Sequence, residues 1–380
     1  MPSAGRRAGP ALADPEEPTR LLHRVRPDKH GPVGQPPRRV PVSVFLTASP
    51  LDLPLRRPFR TARGTKTVAR NLLVELRAEG VTGLGEGAPI PRYGQDQASG
   101  LQALHSFEAP DASPFEQDRW LEAFDLHAPT QLAARAALES ALWDWAGQKT
   151  GRPVYELLSI DPGHTPVSSF TISVDEPAAI RERVEEARAW PVLKLKMAGG
   201  DADHAMVEAL REVSLTPFRV DANEAWSEDE AMEKISWLST MGCELVEQPL
   251  PAGQLEASGR LREASPIPLA ADEDAVIDAD PEAVCAAYDL INVKVTRLGG
   301  LRRSIQWLHT ARRHGCGVMV GCFAESTLGI AAGAVLAPLC DQIDLDGAAL
   351  LELDPFDGPA VDEGILTLSA EPGLGVRLRS

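Results

Sequence analysis

Cysteine is sparse in this chain and badly spaced for structural work. Cys243, Cys285, Cys316, Cys322 and Cys340 are odd in number, scattered and without CxxC spacing, which excludes a disulfide framework or a thiolate zinc site as the organising device. A reducing, cytoplasmic setting is expected. Long apolar runs are absent too: nothing approaches the ~20 consecutive residues of a membrane span, so no membrane is expected as a partner. Positive charge is also short. With 38 Lys and Arg against 55 Asp and Glu the formal net charge is −17, whereas nucleic acids and anionic membrane surfaces require a basic face that displaces counterions. A small molecule is the expected partner, with no nucleic acid; assembly into a homo-oligomer is left open.

The 380 residues, 43% of them hydrophobic, are enough to bury a full core in one large or two ordinary domains. Residues 1–39 are rich in Pro, Arg and Gly without an apolar period, and read as a disordered extension. Asp14, Glu16 and Glu17 argue against a transit peptide, which is poor in acids. From Val40 the pattern turns to short strands, VPVSVFLTA and NLLVELRAEG, followed by VTGLGEG. Gly83, Gly85 and Gly87 superficially match a dinucleotide fingerprint, but no helix opens there and the third glycine falls too early; a hairpin turn is expected. Helical pattern follows, clearest in QLAARAALESALWDWAGQKTG. Residues 40–160 thus read as an α+β capping domain.

From about Thr165 to Leu353, strands alternate with helical stretches, the pattern of parallel βα units. Eight strand candidates stand in order: SSFTIS, VLKLKM, FRVDA, CELVEQ, IPLAAD, LINVKV, GVMVGC and QIDLD. The fold class expected is α/β, a trimmed (β/α)7β barrel of the TIM type over residues 161–355, with 356–380 a tail returning to the capping domain. Lys196 to Asp221 spans 25 residues, Asp221 to Glu247 spans 26 and Glu247 to Asp272 spans 25, each close to one strand, one helix and two loops. Barrel strands aim their C-terminal ends at one face, so these residues are expected to converge.

Asp221, Glu247 and Asp272 offer hard oxygen ligands with no His or Cys among them, which favours Mg²⁺ over zinc or copper. Any one of them alone also reads as a helix N-cap; their common phase favours a metal site. Lys194 and Lys196 flank Leu195 in a strand of period two and share a face, which their apolar neighbours place inside the barrel rather than snorkelling at the surface. Like charges buried together lower an ammonium pKa, the usual route to a lysine base. Lys294 ends the sixth strand, across the barrel. Asp344 and Asp346 alternate in IDLD and can grip an ammonium group, or else serve as a cap or solvated charge. Arg63, Gly64, Thr65 and Lys66 form a basic loop able to cover the site.

The ordered set KLKMAGG, VDANEAW, LVEQPLP, LAADE, NVKVTRLGG and GCFAESTLGIAAG resembles the muconate-lactonizing subgroup of the enolase superfamily over about Val40 to Ser380. Within it, PFRTARGTKT, PRYGQ and DLDGAALL resemble the dipeptide epimerases of the L-Ala-D/L-Glu type. The resemblance implies an isomerase with one Mg²⁺ per subunit held by Asp221, Glu247 and Asp272. Lys196 and Lys294 would be the acid/base pair for 1,1-proton transfer through an enediolate. Lys194, Thr171, Asp344, Asp346, Arg63 and Lys66 would contact a dipeptide substrate, with Asn223 and Glu273 orienting ligands or a lysine behind them. Lys66 falls where the resembled epimerases carry an arginine, and lysine gives no bidentate pairing with a carboxylate. Mandelate-racemase-like members carry a histidine base on the seventh strand; His23, His30, His105, His127, His164, His204, His309 and His314 avoid the strand ends. A cycloisomerase or an o-succinylbenzoate-synthase-like lyase on the same barrel does not need the two aspartates. A non-catalytic binder has no reason to keep both Lys196 and Lys294.

Overall fold

The structure, a computed structural model, describes residues 43–379; the expectation of disorder for residues 1–39 lies outside them. Strands β1 (Val44–Thr61), β2 (Gly64–Ala78) and β3 (Val81–Gly87) form an antiparallel sheet in that order. Leu72, Val74 and Leu76 of β2 alternate onto its buried face, the period of a sheet covered on one side. Helices α1 (Gln97–Ser106), α2 (Gln117–His127) and α3 (Leu132–Thr150) cover it. Every residue of α3 from Ala133 to Gly147 is buried, which its run of alanines allows by giving close approach on all sides. Gly151, in the left-handed region at φ 68°, ends it.

The glycine-rich VTGLGEG is a strand, not the hairpin turn that its composition suggests. The turn lies just before it, at Glu79 and Gly80 (φ 50° and 77°). Gly83, Gly85 and Gly87 alternate onto the face that meets α3, where an added Cβ would sit 2.0–2.1 Å from the carbonyl oxygens of Ala141, Ala137 and Ala133. Backbone therefore lies directly on backbone, and only glycine fits.

The second half is a ring of eight parallel strands: β4 (Phe170–Ile172), β5 (Leu193–Lys196), β6 (Phe218–Asp221), β7 (Cys243–Glu247), β8 (Leu269–Ala271), β9 (Leu290–Lys294), β10 (Gly317–Gly321) and β11 (Gln342–Asp344). Sequential strands are neighbours throughout, and a parallel bridge from Ser168 to Ile343 joins the first edge to the last. Each of the seven connections carries a helix, so the architecture is the expected (β/α)7β barrel with an N-terminal capping layer. Each of the eight segments picked out in the sequence contains one of these strands. Leu245, Ala270, Leu290 and Met319 pack together as a dry plug in the barrel, while the residues toward its C-terminal mouth are charged.

After the barrel, β12 (Phe356–Asp357) pairs with β15 (Arg377–Leu378), and β13 (Ala360–Asp362) with β14 (Ile365–Thr367). This segment touches both halves: Ser168 N donates to Gly364 O at 2.7 Å, and Leu374 N donates to the Asp144 carboxylate on α3 at 2.8 Å. At the other end of the barrel, a bridge from Leu55 to Leu351 fastens β1 beside the mouth. No helix among the described residues is long and apolar enough to cross a membrane.

Candidate active site

Asp221 and Glu247 end β6 and β7, and Asp272 follows β8. The parallel register puts Asp221 beside Glu247, and an oxygen from each of the three carboxylates lies within 4.8 Å of the others. All three are buried. Lys196 Nζ donates to Asp221 Oδ2 at 2.5 Å, and Lys294 Nζ donates to Asp272 Oδ2 at 2.9 Å while standing 4.9 Å over the Phe323 ring. The two ammonium groups thus approach the carboxylate cluster from β5 and β9, four positions apart in a ring of eight.

Lys194 shares the inward face of β5 but has different company. Its Nζ donates to Glu247 Oε2 and Asp344 Oδ2, both at 2.6 Å, with Asp221 Oδ2 at 3.2 Å. The sequence reading has paired lysines depress one another; for Lys194 the opposite holds. Burial opposes its charge, but Asp344, Glu247 and Asp221 hold it well above the ordinary lysine value. Glu247 is pushed up by burial and by the charge of Asp221. Asp272, despite burial, is held below the carboxylate range by Arg297, Lys294 and Lys194.

Supporting residues went unassigned in the sequence. Arg297 Nη1 donates to Asp272 Oδ1 at 2.6 Å, and Asn292 Nδ2 to Glu247 Oε1 at 2.7 Å. Asn292 was discoverable, since it shares the period-two face of Lys294; Arg297, on the short helix after that strand, leaves no such mark. Gln248, at φ 38° just past Glu247, accepts the backbone N–H groups of Asp272 (2.9 Å) and Asp274 (3.2 Å). It thereby ties the second ligand position to the third.

The two aspartates after the eighth strand are not equivalent. Asp344 accepts on both oxygens: Ser169 Oγ donates to one at 2.7 Å and Lys194 to the other. Burial is outweighed by Lys194 and Lys196, leaving its pKa at about 2. Asp346 lies beyond the end of the strand and is held by Thr171, whose N–H donates to Oδ2 at 2.6 Å and whose side chain also hydrogen-bonds the carboxylate. Burial and the charge of Asp344 push it up to about 7. Both line a cavity of about 500 Å³ that includes Thr171, Lys196, Asn223, Asp272, Glu273 and Lys294. The cap closes this cavity from above. Arg63 is bound to Glu273 and lies 3.4 Å from Glu224, and Arg92 pairs with Glu224 at 2.6 Å. Asn223 Nδ2 donates to Glu273 Oε1 at 3.3 Å. Arg63 is therefore held by the protein's own acids, whereas Lys66 makes no hydrogen bond or ion pair among the described residues and looks into the cleft.

Residues 178–380 match the family described as Enolase C-terminal domain-like, and residues 43–159 match the Mandelate racemase / muconate lactonizing enzyme, N-terminal domain. The chain belongs to the enolase superfamily. Among curated proteins it is similar to the L-Ala-D/L-Glu epimerase of Bacteroides thetaiotaomicron, 35% identical over 87% of each chain. It is also similar to the hydrophobic dipeptide epimerase of Roseobacter litoralis, 36% identical over 84% of this chain and 95% of that one. Among solved structures, the dipeptide epimerase of Enterococcus faecalis V583, in complex with Mg and L-Leu-L-Tyr, superposes with a TM-score of 0.80 at 30% identity. That match covers 89% of this chain and 99% of the other.

In this superfamily member the donor set fits a hard divalent cation. Three buried carboxylates converge within 4.8 Å, all the candidate donors are oxygen, and Glu247 is raised by burial and then by the charge of Asp221. The buried Asn223 Oδ1 and Glu273 Oε2, beside the cluster in sequence, have no hydrogen-bond partner among the described residues. Asp221, Glu247 and Asp272 would hold Mg²⁺, the ion present in the Enterococcus structure.

Proposed function

We propose that this protein is a Mg²⁺-dependent dipeptide epimerase that inverts the α-carbon of the C-terminal residue by two-base 1,1-proton transfer. The observation that carries this reading is the placement of Lys196 and Lys294 on opposite walls of the barrel, each on a different carboxylate of one cluster. An α-carbon held between them presents one face to each. The lysine facing the α-hydrogen takes that proton as a free amine, and the opposite ammonium delivers a proton to the other face. The reverse direction exchanges their roles. Bound at the triad, Mg²⁺ supplies positive charge to the substrate carboxylate while the α-carbon lacks its proton. Lys194, pinned by three acids, keeps a permanent positive charge beside the site. Asp346, held by Thr171 at the cavity wall, receives the substrate ammonium, and Asp344 holds Lys194 in place.

Lys66 is the cation left for an acidic C-terminal side chain, since Arg63 is already paired. Lost hydration inside the cleft, then Arg63 and Lys294, lower its pKa; a substrate carboxylate would reverse that effect. This supports the L-Ala-D/L-Glu type of substrate. A cycloisomerase or lyase, with no substrate ammonium, gains nothing from Asp346 at the cavity wall.

The test is exchange in deuterium oxide with Mg²⁺. The native protein should epimerise L-Ala-L-Glu with solvent deuterium at the C-terminal α-carbon, and should lose that activity on chelation. Lys196→Ala and Lys294→Ala should both lose epimerisation, each retaining slow exchange of one diastereomer and of opposite ones, at rates reduced by about 10²–10⁴-fold. One variant dead toward both diastereomers while the other still epimerises would overturn the two-base assignment. No deuterium uptake by any dipeptide would overturn the epimerase reading.

A further inference from the structure

A second cavity, about 510 Å³, opens between β1 and the helix Pro177–Glu186. It shares Leu55, Phe59, Thr171 and Leu350 with the active-site cavity, so the two meet. They meet beside Asp346, whose carboxylate is held by Thr171 N and whose chain runs directly into Leu350. Building on the dipeptide reading above, we propose that this annex is the subsite for the N-terminal side chain, and that it selects a large aromatic residue there.

The placement follows from connectivity. The N-terminal ammonium on Asp346 is one bond from its own Cα, so the side chain on that carbon must leave close to Asp346. The C-terminal residue occupies the other direction, toward Lys196 and Lys294. The annex opens beside that point, at Thr171 and Leu350. Its volume falls in the ~300–1,000 Å³ range of small-molecule sites, far more than an alanine methyl fills.

The walls indicate the chemistry. Phe170 and Trp190 stand 5.1 Å apart at 47°, and Leu55, Pro58, Phe59, Ala187 and Leu350 add to the apolar lining. A substrate ring can add a further tilted contact to that pair. The arginines around the rim are already engaged: Arg57 pairs with Glu186 at 2.6 Å, Arg183 with Asp175 at 3.2 Å, and Arg56 Nε donates to Leu351 O at 2.6 Å.

The experiment compares kcat/KM for L-Phe-L-Glu with L-Ala-L-Glu, and for L-Phe-L-Leu with L-Ala-L-Leu, so that the C-terminal residue is held fixed within each pair. The native protein should favour the phenylalanyl member by about ten-fold or more, the scale on which an apolar pocket discriminates. Ala349→Trp, which fills the half-buried mouth of the annex, and Trp190→Ala, which removes a wall, should each lower that ratio by about ten-fold. A native preference for the alanyl member, or a ratio unmoved in both variants, overturns the annex while leaving the epimerase reading intact. Turnover of none of the four dipeptides removes the epimerase reading, and the annex with it.

Discussion

Two aspartates separated by a single leucine differ here in what holds them: a lysine and a serine for Asp344, Thr171 for Asp346. Asp344 spends both oxygens on Ser169 and Lys194, so its loss would unseat a lysine. Asp346, proposed above to receive the substrate ammonium, has its carboxyl pushed up to about 7 by burial and then by Asp344. Only the ionised form attracts an ammonium. For a free dipeptide kcat/KM should therefore climb as pH rises through about 7, then fall above ~8 as the substrate's own α-amine loses its proton. Asp346→Asn should abolish the lower limb and cut kcat/KM by about ten-fold or more, as expected for a charge-assisted contact of roughly 1.5–3 kcal/mol. A pH profile of both proteins decides this, with an N-acetylated dipeptide as control; equal turnover of the blocked substrate would contradict the role.

At the scale of elements, the contact of β3 with α3 shows how a residue that weakens strands can be required by one. Gly83, Gly85 and Gly87 carry no side chain because the carbonyls of α3 occupy the space. Gly85→Ala sets a methyl 2.0 Å from Ala137 O and 2.7 Å from Ala141 N, both backbone atoms that can yield only if the helix moves. Forced overpacking of this kind costs about 1–3 kcal/mol. The denaturant midpoint should fall accordingly, and an unchanged midpoint would show that the helix shifts freely.

At the scale of the whole molecule, cap and barrel are joined by a buried carboxylate. Glu86, on β3, accepts from Ser326 N at 3.1 Å, Gly329 N at 3.0 Å and Asn71 Nδ2 at 2.7 Å, while Asn71 donates on to Ala324 O at 2.9 Å. These contacts seat the loop that brings Phe323 over Lys294. Burial and then Glu325 raise the Glu86 pKa to about 8 against the pull of those donors. The folded protein therefore binds this proton more tightly than the unfolded chain does. Its contribution to stability is complete below about pH 4.5 and declines as pH rises toward 8. Glu86→Gln cannot titrate, so the melting temperature of the variant minus that of the native protein should increase by ~2 °C or more between pH 5 and pH 8.5. Other raised groups, such as Asp144 at about 6, cancel in that difference. A pH-independent offset would show that Glu86 is ionised throughout.

What the sequence determined by itself was periodic and local. Spacings of 25 and 26 residues placed Asp221, Glu247 and Asp272 at successive strand ends, and the period of two put Lys194 and Lys196 on one face; both follow from the geometry of a single βα unit or strand. Partnerships across the fold were decided only by tertiary structure. Lys194 meets Asp344 from 150 residues away and Arg63 meets Glu273 from 210, so whether a lysine is a base or a fixed cation, and whether an arginine is open to substrate, depends on neighbours that no local pattern names. The same holds for VTGLGEG, whose glycines mark a turn by composition but form a strand because a helix packs against them. Periodicity reports which way a side chain points; its protonation, its partners and the room around it are set by what the rest of the chain brings to that place.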